Sequence, residues 1–181
     1  MRVADSERLS FQLVTTDDSD FLFQLDQDEE VMRYINGGKK SSRQEINEIF
    51  MPRVMAFTAP QKGWGLWKVK LKNATEQPVG WILVRPYGFF TGKRDDNNLE
   101  LGWRFRRSVW GQGIATEAAI AVMQALLAEG TKQFSAIALT ENIASINVMG
   151  KLGMSFSHSE HYQDAVFDEQ VDVYTVVNNS Q

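Results

Sequence analysis

Apolar and polar residues alternate at the start of the chain, where Leu9, Phe11 and Leu13 are separated by Ser10 and Gln12. That period of two predicts a strand over 9–13. Asp17 and Asp18 then offer N-caps to a helix whose apolar positions include Phe21, Leu22 and Leu25. A short helical turn over 29–34 is expected to stop at Asn36, Gly37 and Gly38, a strong breaker. Ser42 with Glu45 three residues later has the pattern of a capping box. The helix after it carries Ile46, Ile49 and Phe50, and Pro52 is expected to kink or end it.

Segments 64–71 and 79–84 read as two strands of an antiparallel hairpin, joined by a polar turn over 72–78. A longer loop follows over 87–98, then a strand over 99–107. On that strand Leu99, Leu101, Trp103 and Phe105 face one way, and Glu100, Gly102, Arg104 and Arg106 the other. Ala115, Ala119, Val122, Met123, Leu126 and Leu127 form a helical stripe over 115–128, with Gly130 placed to follow its end. A strand over 134–140 comes next. Asn142 is positioned to cap a short helix that stops at Gly153, and strands over 154–159 and 170–177 complete the pattern. The tail 178–181 is expected to fray. This order predicts one α/β domain over 1–181. Its sheet is mixed, mostly antiparallel and twisted, with helices on both faces. The unit over 99–140 is expected to be a right-handed crossover between parallel strands.

A length of 181 residues, 43% of them hydrophobic, suits a single sizeable core. The formal net charge of −4 argues against a general attraction to nucleic acid. The absence of cysteine removes thiolate catalysis, disulfides and Cys-based zinc sites together. Two histidines, His158 and His161, do not make a metal centre, and no metal-ligand spacing surrounds them. Residues 1–10 are polar, and no apolar run approaches the roughly 20 residues that span a bilayer. A cytoplasmic protein with no membrane partner is the expectation.

The most informative segment is Trp110-Gly111-Gln112-Gly113-Ile114-Ala115-Thr116, between a strand and a helix. Two glycines and a small alanine let the backbone approach a ligand closely. The first N–H groups of the helix lack intrahelical partners and favour an anion such as a pyrophosphate. A Gly-x-Gly alone also marks a tight strand-to-helix turn. The P-loop sequence is absent, and the dinucleotide fingerprint fails because Thr116 stands where its third small residue belongs.

Glu100-Leu101-Gly102-Trp103-Arg104-Phe105, followed by the loop and Glu117-Ala118, resembles the acetyl-CoA-binding core of the GNAT N-acetyltransferases. Asn142-Ile143-Ala144-Ser145-Ile146-Asn147-Val148 and Lys151-Leu152-Gly153-Met154 resemble that family's second block. Segment 9–14 and Glu30-Val31-Met32-Arg33-Tyr34 resemble its ribosomal-protein-alanine acetyltransferase-like branch. Two positions depart from the family pattern. Ser108 replaces a frequent Gln or Arg, and Met149 stands where many members carry a tyrosine general acid.

The resemblance implies direct acetyl transfer from acetyl-CoA, as cosubstrate, to a primary amine, with no metal. It implies Glu100 as base, directly or through water, with a solvated or salt-bridged carboxylate beside Arg104 or Arg106 as the alternative. It implies Ser145 as the group serving the thiol leaving group, with helix capping or surface polarity as the alternative. Cofactor contacts are implied for Phe105, Gly111, Gln112, Gly113, Ile114, Ala115 and Thr116. Asn142 and Asn147 match positions that contact the pantetheine arm, and amides suit an arm built of amides. Lys151, Arg106 and Arg107 are candidates for phosphate, with ordinary solvated charge as the alternative. Trp110 is expected to pack beside the loop. Trp64, Trp67, Tyr34 and Phe89 are candidates for an acceptor cleft or for core. His158 and His161 read as exposed, with help in deprotonating an amine as the alternative.

The expected acceptor is a protein N-terminal α-amine, with a polyamine, amino sugar or amino acid as the alternative. A non-catalytic acyl-CoA sensor is a third reading. A monomer or homodimer is expected.

Overall fold

The structure is a computed structural model and describes residues 1–73 and 77–178. Among these residues seven strands form one sheet: β1 (Leu9–Leu13), β2 (Gly65–Leu71), β3 (Gly80–Tyr87), β4 (Asp95–Phe105), β5 (Gln133–Ala138), β6 (Ser155–Gln163) and β7 (Asp168–Val177). Their spatial order is β1-β2-β3-β4-β5-β7-β6. Only β4 and β5 run parallel, and the other pairs are antiparallel. The mixed, mostly antiparallel sheet expected from the sequence is therefore present.

Alternation along the strands feeds two helical layers. Trp67, Val69, Ile82, Val84, Leu99, Leu101 and Phe105 pack with α5 (Ile114–Ala128) and α6 (Ile143–Lys151). On the opposite face Leu66 and Trp81 pack with α1 (Ser19–Leu25), α2 (Glu29–Asn36) and α4 (Met51–Phe57). Strands buried on both faces follow from this sandwiching, and β2 is buried from Gly65 to Val69.

The capping box forms as expected at Ser42 and Glu45, opening α3 (Arg43–Glu45). Pro52 does not end the helix. The chain runs on through a π-helical turn at Ile46–Phe50 into α4, and the Met51 N–H reaches back five residues to Ile46. The wider turn shifts the ladder just before Pro52, which has no N–H to give to it. Asp18 precedes α1 but makes no side-chain cap. Its carboxylate is taken by the Lys68 ammonium at 2.6 Å and the Thr15 N–H at 2.8 Å, tying the helix start to β2.

Four strands extend further than the sequence pattern predicts. Tyr87 belongs to β3 and Asp95–Asn98 to β4, because pairing with β3 draws polar residues into the ladder across an irregularity near Pro86. β6 and β7 likewise continue through polar residues to Gln163 and Asp168. Within the 72–78 turn, residues 74–76 lie outside the described residues, as do 179–181 of the expected fraying tail. No helix among the described residues is long and apolar enough to cross a membrane.

Candidate functional site

The parallel seam between β4 and β5 is three residue pairs long: Asn98 with Gln133, Leu99 with Phe134 and Glu100 with Ser135. Beyond Glu100 the strands part, and a cleft of about 360 Å³ opens there. Trp103, Arg104 and Phe105 of β4 form its floor. Gly111, Gly113, Ile114, Ala115 and Thr116 form one wall; Asn142, Ser145, Asn147 and Lys151 form another. Val31, Tyr34 and Ile35 of α2 close the third side. Ten of the catalytic and cofactor-binding candidates thus surround one cavity, with Tyr34 from the acceptor-cleft candidates beside them.

The loop has the geometry an anion cradle needs. Gly111 and Gly113 sit at φ 72° and 76°, in the left-handed region that side chains avoid. Gly113 is the N-cap of α5 and no side chain caps that end, so its first N–H groups have no side-chain partner there.

Ser145 is set by two neighbours. Its N–H donates to Asn142 Oδ1 at 3.2 Å, making Asn142 the N-cap of α6. Its Oγ accepts from the Trp103 indole N–H at 3.0 Å, which leaves the hydroxyl hydrogen available to a further acceptor. Met149 is buried in the core, away from the cleft wall.

Four candidates lie elsewhere. Gln112 turns its side chain back to the Ser108 carbonyl at 2.9 Å. Arg106 donates to the Pro78 carbonyl at 3.1 Å, and Arg107 pairs with Asp28 at 3.1 Å. Both arginines border a neighbouring hollow rather than the cleft. Glu100 lies on the opposite face from the core side of β4. There Arg85 holds both its oxygens, at 3.0 and 2.8 Å, from the directly facing position on β3. Arg104 pairs instead with Asp26 at 2.6 Å.

Around the Arg85–Glu100 pair is a buried polar network that sequence reading missed. Arg85 also donates to the Tyr162 hydroxyl at 3.3 Å, and the Tyr87 hydroxyl donates to Glu160. Burial favours a neutral Arg85, but the facing Glu100 carboxylate outweighs it and raises the pKa above the usual arginine value. Burial, with the Glu100 charge added, pushes the Tyr162 hydroxyl up to about 12. A raised folded-state pKa means that this contribution to stability is intact below pH 10.0 and is lost as pH rises toward 12. Tyr162→Phe is therefore expected to flatten the alkaline loss of stability between those values, measured by denaturant unfolding at stepped pH.

The aromatic candidates divide. Trp64 and Trp67 are core, Phe89 stacks edge-on with Phe57 and Phe90, and Tyr34 reaches the cleft. Trp110 is half-exposed at the cleft, its indole N–H given to the Phe105 carbonyl at 2.9 Å. His158 and His161 are exposed and face Glu160 and Asp168 at 3.7 and 2.6 Å.

Known proteins share this architecture. The structure of an acetyltransferase of the GNAT family from Bacillus anthracis superposes with TM-score 0.73 at 22% identity, covering 98% of each chain. An acetyl transferase from Salmonella typhimurium, described as modifying the N-terminal serine of ribosomal protein L7/L12, superposes with TM-score 0.73 at 16% identity, over 98% and 99% of the two chains. At these identities the likeness is one of fold. In sequence, the chain is 27% identical over 139 residues to the FsC-acetyl coenzyme A-N(2)-transacetylase of Aspergillus fumigatus, covering 75% of this chain. The chain spans 57% of that relative's length. The family profile described as Acetyltransferase (GNAT) domain matches residues 8–155, from the approach to β1 to the first residue of β6, and so takes in the loop, the parted strands and the Ser145 helix alike: the chain belongs to the GNAT acetyltransferases.

Proposed function

We propose that the protein transfers the acetyl group of acetyl-CoA directly to a primary amine, and that the acceptor is a protein N-terminal α-amine. The observation that carries the first part is the meeting of the glycine cradle and the parted strands in one cleft. The loop N–H groups suit a pyrophosphate. The β4 backbone beyond Glu100, with Asn142 and Asn147 alongside, suits an arm containing amides.

In this reading Gly111 to Thr116 hold the phosphates, and Ser145 donates its hydroxyl hydrogen toward the sulfur. A thiol with a pKa near 8.5 leaves readily as thiolate, so one donor is adequate help. Ser145→Ala is expected to lower kcat about tenfold with little change in the KM for acetyl-CoA, checked by steady-state kinetics.

Two features favour an α-amine. Its pKa near 8 leaves a useful neutral fraction at pH 7, which suits a site whose candidate base, Glu100, has both oxygens engaged by Arg85. A polyamine calls for an acidic mouth. Glu30 is the one carboxylate among the described lining residues, and Arg33 stands 3.6 Å from it. The second reading, a small-molecule amine, is favoured by the Aspergillus relative, whose name specifies acetyl transfer at an N(2) position.

Thiol release from acetyl-CoA with N-terminal peptides, polyamines, amino sugars and amino acids is the test. The chain has no cysteine, so protein thiols add no background. Turnover with peptides supports the proposal. Turnover only with small amines overturns the acceptor, and CoA binding without turnover across the panel favours the sensor reading.

A further inference from the structure

The glycine loop is fastened from behind by the residue that precedes β1. Arg8 Nε donates to Glu117 Oε2 at 2.6 Å, and Arg8 Nη1 donates to the main-chain carbonyl of Gln112 at 3.0 Å. Glu117, in the first turn of α5, is itself held. Its Oε1 accepts from Ser6 Oγ at 2.7 Å and from the Arg8 N–H at 3.0 Å. Burial pushes the Glu117 carboxyl up, but the donors from Ser6 and Arg8 outweigh it and keep it below the usual carboxylate range.

Gln112 lies between two glycines in left-handed conformations. Its peptide units are therefore among the least restrained by local sterics, and ordering them needs an anchor from outside the loop. The described chain has no cis peptide bonds. In a trans peptide the carbonyl and the following N–H point to opposite sides. A Gln112 carbonyl turned toward Arg8 therefore aims the Gly113 N–H away from Arg8. Gly113 lines the cleft, whereas Arg8 and Gln112 do not. The Gly113 N–H is thus turned to the side away from Arg8, and Gly113 itself lines the cleft.

We propose that Arg8, locked by Glu117, is a positioning residue for the phosphates of the cosubstrate: it holds the 112–113 peptide with its N–H presented to them. The inference rests on the reading that CoA phosphate occupies this loop. It gives a role in the site to a cation that the cleft itself does not contain, while Arg106 and Arg107, nearer in sequence, are tied elsewhere.

The experiment compares Arg8→Gln, Arg8→Lys and Glu117→Gln with the wild type. CoA affinity is read by calorimetric titration. KM is read for acetyl-CoA and for S-acetylpantetheine, which keeps the thioester arm but has no phosphate. Arg8→Gln is expected to weaken CoA binding about tenfold, the worth of one charge-assisted hydrogen bond. KM for acetyl-CoA should rise in parallel, kcat should stay within about twofold, and KM for S-acetylpantetheine should not move. Arg8→Lys retains a donor for the Gln112 carbonyl and is expected to recover most of the loss; Glu117→Gln should fall between. A general loosening of the fold raises both KM values together, and that result overturns the proposal, as does unchanged CoA affinity in Arg8→Gln. A wild-type chain that does not bind CoA at all removes the functional reading itself, an outcome the titration separates from the others.

Discussion

Gly113→Val is expected to weaken CoA binding by about a hundredfold while melting within a few degrees of the wild type. Gly113 sits at φ 76° and ψ 5°, where a side chain costs roughly 1–2 kcal/mol and a β-branched one is an outlier. Space is not the obstacle: the nearest atom to an added Cβ is an Arg8 nitrogen at 3.6 Å. The strain is relieved if the loop leaves the left-handed region, and that movement swings the first N–H groups of α5 off their common target. Losing two charge-assisted bonds of roughly 1.5 kcal/mol each corresponds to about a hundredfold in affinity. The loop is exposed, and about 1 kcal/mol shifts the melting point of a domain this size by roughly 2–4 °C, so the fold is little affected. Calorimetric titration with CoA and thermal unfolding check the two halves separately. Retained affinity in a folded variant places the phosphates away from this loop.

Glu100→Ala is expected to reduce stability by about 3–5 kcal/mol, because it strands the Arg85 guanidinium without its partner. The side chains of Glu100 and Arg85 are 4% and 12% exposed, so water does little to compensate. Replacing the pair together, as Glu100→Leu with Arg85→Met, is expected to recover most of that loss, since two apolar groups leave no buried charge. Denaturant unfolding reads both. The double variant also separates two roles that a single substitution confounds. A well-folded double variant with near-normal kcat assigns Glu100 to the architecture of the sheet; a collapse in kcat with the fold intact assigns it to proton removal.

Much of the candidate site's geometry follows from local sequence. Gly111 and Gly113 between a strand and a helix specify a cradle by backbone geometry alone, and Asn142 three residues before Ser145 specifies a cap. These features lie within a few residues of one another, where spacing fixes geometry. What was not legible depends on partners far along the chain. Arg85 faces Glu100 only because β3 and β4 adopt one register, and a one-residue slip would point the two to opposite faces. Arg106 and Arg107 flank the loop in sequence, yet the Pro78 carbonyl and Asp28 claim them. Arg8 reaches the loop across more than a hundred residues. Pro52 carries a strong local signal to stop, overridden because a π-turn lets α4 keep Val54 and Phe57 in the core.

The short seam between β4 and β5 gives the cosubstrate a second part to play. Three rungs join the first four strands to the last three, and the ladder then stops where the cleft begins. In the proposed reading, a pantetheine arm laid along β4 beyond Glu100 takes the place of the stretch of neighbouring backbone that the sheet lacks there. A ligand present at about a hundred times its dissociation constant adds roughly 2.7 kcal/mol to a fold. On that reading CoA is expected to raise the melting temperature progressively once its concentration exceeds its dissociation constant, measured by thermal unfolding across a CoA titration.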